Sequence, residues 1–117
     1  MKLPNGSRAI VDIRKLRDYC LNPDSPKGRT KARVFAASLG LAPGDAEFLR
    51  RILLQAATDK ECRPGEADDH GQRYTVDLIV TTDRGSQRVR SGWIVRSGED
   101  FPRLTTCYVL RSGKPKR

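Results

Sequence analysis

From Asp12 onward the apolar residues Ile13, Leu16, Tyr19 and Cys20 recur at spacings of three, three and one, which lines one face of a short helix. Asn22-Pro23 ends it, because the residue before a proline is pushed out of the helical region. The two prolines and the glycine of residues 23–30 predict a loop, and a second helix follows over Lys31 to Leu39, with Val34, Phe35, Ser38 and Leu39 on one face. Thr30 is placed as its N-cap and Gly40 as its C-terminal cap. A third helix, from an Asp45 cap to about Thr58, carries the stripe Ala46, Leu49, Leu53, Ala56 and Ala57, widened by Phe48 and Ile52. Residues 59–71, with Pro64, Gly65 and the acids Asp68 and Asp69, predict a connecting loop.

After Gly71 the period changes from helical to alternating. Tyr74, Val76, Leu78 and Val80 point one way and Arg73, Thr75 and Asp77 the other. Asp83-Arg84-Gly85-Ser86 supplies a hairpin turn, and Val89, Ser91, Trp93 and Val95 then alternate with Arg88, Arg90, Gly92, Ile94 and Arg96. In a third strand, from Arg103 to Leu110, Leu104, Thr106, Tyr108 and Leu110 oppose Arg103, Thr105, Cys107 and Val109. Three N-terminal helices followed by an antiparallel β-meander predict an α+β domain with the helices packed on one sheet face. Phe35, Leu49 and Leu53 are expected over Val76, Leu78, Trp93 and Val95.

A chain of 117 residues accommodates one such domain, expected over residues 1–110 and followed by a basic, disordered tail over 111–117. No apolar stretch reaches the roughly 20 residues that span a bilayer, and no signal-peptide apolar core follows Met1, so neither a membrane partner nor secretion is expected. Cys20, Cys62 and Cys107 are odd in number and widely spaced, which indicates neither a disulfide framework nor a zinc site; reduced thiols, a cytoplasmic location and no cofactor or metal are the expectation.

Charge changes the picture most. Lys and Arg number 23 against 14 Asp and Glu, and 16 of the basic residues are Arg, whose guanidinium fork suits phosphate. Residues 1–40 carry 9 basic and 3 acidic side chains, residues 41–70 carry 4 and 7, and residues 71–117 carry 10 and 4. Two basic segments flank an acidic one, which points to a polyanion, a nucleic acid first, held where the first and last thirds meet; the alternative is charge that keeps a small domain soluble.

Two surfaces are able to carry such chemistry. The uncovered sheet face shows Arg73, Thr75, Asp77, Arg90, Arg96 and one of Thr105 and Thr106, a set of guanidiniums and hydroxyls suited to a phosphodiester and its pentacoordinate transition state without metal. The same pattern also describes an ordinary solvated face of a half-buried sheet. The second surface is the basic loop and helix start Lys27-Gly28-Arg29-Thr30-Lys31-Ala32-Arg33, where backbone amides add to the cations. Its spacing is not that of a P-loop, and there is no nucleophile elbow. His70, in an acidic loop, reads as a surface residue.

Together, Lys27 to Phe35, Leu39-Gly40, Asp45-Ala46-Glu47, Gly71 to Tyr74 with Asp77, Val89 to Arg96 and Gly98 to Tyr108 resemble a bacterial domain of unknown function. That domain is found as a small stand-alone protein and at the C-terminal tips of polymorphic toxins and phage-derived proteins. The resemblance covers about residues 3–110. It implies a distant relation to the barnase, EndoU, colicin and RelE group of metal-independent ribonucleases, which join an N-terminal helical unit to an antiparallel sheet. It also implies a histidine where this chain has Thr30, so that either Lys31 and the strand residues act without it or the chain is inactive. On this reading the chain is a toxin-type ribonuclease, a hydrolase of RNA neutralised by an acidic antitoxin or immunity protein. Lys31, Arg73, Asp77, Arg96, Thr105 and Thr106 are then its catalytic candidates, and Lys27, Arg29, Thr30, Arg33, Arg90 and Arg103 its RNA contacts. The rival readings are a catalytically silent nucleic-acid-binding module and a protein-interaction domain on the same basic face.

Overall fold

The Asp12 carboxylate accepts the backbone N–H of Arg14 (3.0 Å) and caps the first helical unit, α1 (Ile13–Lys15), which widens into a π-turn over Leu16–Cys20. A computed structural model describes residues 1–110; the tail expected over 111–117 lies outside the described residues. Helix α2 runs over Arg29–Leu39 and begins two residues earlier than a Thr30 cap allows. Gly28 is the residue at its start, without a side-chain cap, and its own N–H donates to Ser25 Oγ at 3.1 Å. A Cβ at Gly28 would fall 2.0 Å from the Tyr19 carbonyl oxygen, so only glycine lets the loop close this tightly on the first helical unit. Gly40 ends α2 at φ 70°, and Leu41 N–H returns to the Phe35 carbonyl. A 3₁₀ turn over Pro43–Asp45 leads into α3 (Ala46–Asp59). There Asp45 accepts the Ala42 N–H (2.9 Å), so its carboxylate closes the turn before the helix.

The sheet has four antiparallel strands in chain order, β1 (Arg63–Asp68), β2 (Gly71–Thr82), β3 (Gly85–Arg96) and β4 (Pro102–Val109). The first corrects the loop expected over 59–71. It escapes the sequence pattern because all six residues are exposed, Pro64 and Gly65 lie within it, and its register slips between Pro64 and Ala67. Strands β2 and β3 pair over their whole length around the Asp83-Arg84 turn.

The helices cover the face bearing Val76, Leu78, Val80, Val89, Trp93, Leu104, Cys107 and Val109, and Phe35, Leu49 and Leu53 are fully enclosed in that core. Trp93 donates its indole N–H to Ser91 Oγ (2.9 Å), and the Ser91 hydroxyl donates to the Val76 carbonyl (2.7 Å), so the buried hydroxyl is satisfied. Val95, expected in the core, is half-buried near the end of β3.

A β-bulge corrects the reading of β4. Trp93 faces Leu104 whereas Gly92 faces Thr106, leaving Thr105 as the extra residue. The alternation slips by one, so Cys107 and Val109 join Leu104 in the core, and Thr106 and Tyr108 turn to the other side. The outer edge of β4 is closed by the N-terminal segment, where Ile10 exchanges backbone hydrogen bonds with Pro102 and Leu104. Among the described residues no helix is long and apolar enough to cross a membrane.

Candidate functional site

The sheet face turned away from the helices is organised in cross-strand rows. Asp77, Arg90 and Tyr108 stand opposite one another on β2, β3 and β4. Arg90 grips Asp77 with two hydrogen bonds, Nε to Oδ1 at 2.8 Å and Nη2 to Oδ2 at 2.9 Å, and Arg63 of β1 approaches the same carboxylate at 3.5 Å. Tyr108 is the cross-strand neighbour of Arg90 on its other side. The next row holds Arg63, Thr75, Gly92 and Thr106, and the one after it Arg73, Ile94 and Arg103. Gly92 lies in the middle of this face with the two threonines packed over it: a Cβ there would sit 2.9 Å from Thr105 Oγ1 and 3.5 Å from Thr106 Cγ2. Thr106 Oγ1 is enclosed without a hydrogen-bond partner.

At the β4 end the Asp77–Arg90–Tyr108 row meets the start of α2. Lys31 lies with its ammonium over the Tyr108 ring (6.0 Å to the centroid) and the Tyr19 ring (5.2 Å), and its Nζ is 3.1 Å from Tyr19 Oη. The hydrogen bond to Tyr19 holds Lys31 above the ordinary lysine pKa against the opposing effect of burial, so the side chain stays a cation at neutral pH. Thr30, Val34 and Val109 complete a groove of about 330 Å³ beside it. Around the corner, Lys27 and Thr105 share a second cleft of about 470 Å³ with Asp12, Arg14, Lys15 and Tyr19.

The structure therefore joins Lys31, Thr30, Asp77, Arg90, Thr105 and Thr106 in one region, with Lys27 at its border. Arg29 is exposed on the first turn of α2. Arg33 is not part of the region. Two residues on from Lys31, it lies about 200° around the helix and lines a different groove with Leu21, Ala36 and Arg84. Arg96 pairs with Gly71, six positions along β3 from Arg90 and thus about 20 Å away. His70, in the exposed β1–β2 turn, is at that same end.

Nor are the strand arginines unpaired cations, as the alternation alone suggests. Arg73 is held by Asp68 (2.8 Å) and Arg103 by both oxygens of Glu99 (2.9 Å each), because the end of β1 and the β3–β4 loop bring acids to that end of the sheet. Phe101 packs between the guanidiniums of Arg8 and Arg103, 5.7 and 5.1 Å from its centroid.

Sequence reasoning missed Tyr19, Tyr108 and Arg63. Tyr19 falls on an apolar helical stripe and Tyr108 on the wrong phase of β4; the phenol at the edge of each stripe was the available signal. Among the described residues no three His, Cys, Asp or Glu side chains cluster as metal ligands.

The Asp77–Arg90 pair makes acid stability testable. The guanidinium holds Asp77 below the usual carboxylate pKa. A depressed folded pKa adds stability that is present above the unfolded value, about 3.9, and is lost as pH falls through the folded one. Asp77→Asn is expected to melt below the parent at pH 7, and the difference in melting temperature should shrink as pH drops below about 4. A difference independent of pH would assign the effect to packing instead.

No curated protein matches the chain. Among solved structures, the chain is similar to a chain of a contact-dependent growth inhibition toxin–immunity protein complex from Klebsiella pneumoniae 342. The TM-score is 0.65 at 15% identity, over 86% of this chain and 99% of the other, a likeness of fold. Residues 2–111 match the family described as a domain of unknown function, DUF6883. A match of that extent leaves no doubt of membership: the chain belongs to the DUF6883 family.

Proposed function

We propose that the chain is a toxin-type, metal-independent endoribonuclease whose reaction centre lies where α2 meets the bulged strand β4. The observation that carries this reading is Lys31, a persistent cation fixed by Tyr19 beside Tyr108 at the end of the Asp77–Arg90 row. Cleavage of RNA without metal requires the 2′-hydroxyl to attack the adjacent phosphorus. The 2′-O–P bond forms as the P–O5′ bond breaks, the 2′-hydroxyl loses its proton to solvent water, and the 5′-oxygen gains one from Lys31, which solvent then reprotonates. Fixed cations beside the phosphorane stabilise its growing charge. Lys31 is suited to that role and to giving the leaving oxygen its proton, while Arg90, oriented by Asp77, supplies a second cation. Thr105, whose hydroxyl lies over Gly92 and which lines the cleft shared with Lys27, positions the phosphate.

The net charge of +9 and the toxin–immunity complex among the fold's relatives support an acidic protein partner that neutralises the chain. On this reading the chain acts in the cytoplasm, where its proposed RNA target is found.

A second reading, a silent RNA-binding module, is favoured by one observation: the imidazole of His70 is at the far end of the sheet, and Asp77 is held too acidic to serve as a good base. The groove that Thr30 shares with Lys31 and Tyr108 separates the two readings. Thr30→His inserts a base of pKa about 6.5 there and is expected to raise cleavage at pH 7 by roughly 10-fold or more, with a new limb in the pH profile near that value. A parent and a Thr30→His variant that both bind RNA and leave it intact would establish the silent module.

A further inference from the structure

We propose that the outer edge of β2 takes up an extended, acidic segment of a protein partner as an added strand; this rests on the reading of an acidic neutralising partner and names where that partner docks. Strand β1 covers the edge only as far as the Arg63–Thr75 pair, whereas β2 runs on to Thr82. The ladder shows which backbone groups are left over. In an antiparallel pair the N–H and C=O of one residue point to the same side, and that side alternates along the strand. Leu110 donates its N–H to the Arg88 carbonyl (2.8 Å), so Arg88 turns its backbone toward β4 and away from β2. Its cross-strand neighbour Ile79 therefore turns its own N–H and C=O away from β3, and so do Asp77 and Thr81 two residues to either side. Leu78 and Val80 face β3 instead, opposite Val89 and Gln87. The usual devices that blunt an edge are absent over residues 76–82, which hold no proline, no bulge and one charged residue, Asp77, already gripped by Arg90.

The surroundings select the occupant. A groove of about 220 Å³ lies between α3 and this edge, lined by Ile52, Ala56 and Lys60 with Leu78 and Ile79. An added strand alternates its side chains between two faces, so one set enters that groove and the other lies beside Ile79, which is 58% exposed. Lys60 at the groove and Arg88 across from Ile79 are exposed cations, and the chain carries +9, so the strand that fits alternates apolar residues with carboxylates. A second copy of the chain does not fit: its Leu78 and Val80 are buried in its own core and leave the groove unfilled, and its charge repels. Asp77 belongs both to the edge and to the Asp77–Arg90–Tyr108 row, so the docked strand extends the face on which that row stands, and its carboxylates oppose an approaching polyanion.

The test uses the folded full chain without RNA, so it stands apart from the ribonuclease reading. Amide hydrogen exchange is followed by NMR with a capped octapeptide alternating valine and glutamate, and with its glutamine counterpart. Alone, the chain should exchange Asp77, Ile79 and Thr81 fast and Leu78 and Val80 slowly. Saturating glutamate peptide should slow the first three by about 10-fold or more and leave the other two unchanged. It should bind about 3- to 10-fold more tightly than the glutamine peptide. Thr81→Pro removes one outward N–H and no ladder bond, and Ile79→Glu sets a like charge at an exposed position; each should weaken binding by about 10-fold while the chain stays folded. Slow exchange at Ile79 and Thr81 without peptide, or binding that neither substitution weakens, would overturn the proposal. So would protection by neither peptide, which leaves an acidic partner to dock elsewhere, and equal protection by both, which removes the acidic character of the occupant. A dimer of the chain that Ile79→Glu dissociates would give the edge to a second copy and overturn it as well.

Discussion

Lys31→Ala is expected to reduce RNA cleavage and growth inhibition by about 10²- to 10³-fold, the loss that follows removal of one preorganised contact to a developing oxyanion. The fold should survive, because Lys31 is only half-buried and contributes a single hydrogen bond, to Tyr19, worth about 1 kcal/mol. Two companions separate chemistry from packing. Lys31→Arg keeps the charge while changing its reach, and is expected to recover part of the activity. Tyr19→Phe keeps the ring under the ammonium but removes the hydroxyl that holds it, so cleavage should fall less than in Lys31→Ala. A Lys31→Ala protein that cleaves as fast as the parent at an unchanged melting temperature would move the reaction centre elsewhere.

The largest stability effect is expected at Trp93. It is fully buried, spans the core between the helices and β3, and its N–H is the donor that the Ser91 hydroxyl accepts. Trp93→Ala should cost about 3–5 kcal/mol through the cavity it leaves. The hydrogen bond that Ser91 Oγ no longer accepts works in the same direction. For a domain of this size that is a fall of roughly 15 °C or more in melting temperature. Arg88→Ala, at an exposed position on the opposite face, serves as the control and should stay within about 0.5 kcal/mol of the parent.

The contrast between those two positions was legible in the sequence. Alternation from Tyr74 to Val80 and from Val89 to Val95 is enforced by one buried and one wet face, and the stripe of α3 is enforced in the same way, so both survive as patterns. Strand β1 has no buried face, and nothing in its composition marks it. The bulge at Thr105 is visible only as a slip, with Leu104 and then Cys107 and Val109 apolar on opposite phases of a regular strand. That slip decides the site, because it turns Tyr108 out toward Arg90 and Lys31.

Charge pairing was the other part hidden from local pattern. Asp68 reaches Arg73 from the irregular strand β1 and Glu99 reaches Arg103 from a loop, neither of which any periodicity encodes, so a face that reads as a row of unpaired cations is largely a row of ion pairs. Lys31 could be named as a cation at a helix start. Its fixing by Tyr19 depends on Gly28, whose missing side chain lets the loop fold back against the Tyr19 carbonyl.

The most direct test of the account is the chemistry of the RNA ends left by the purified chain in EDTA. Transfer RNA and messenger RNA incubated with the parent protein are expected to yield fragments bearing 2′,3′-cyclic phosphate and 5′-hydroxyl termini, at a rate that EDTA does not change and that Lys31→Ala nearly abolishes. Intact RNA throughout, or cleavage that appears only with added divalent metal, would contradict it.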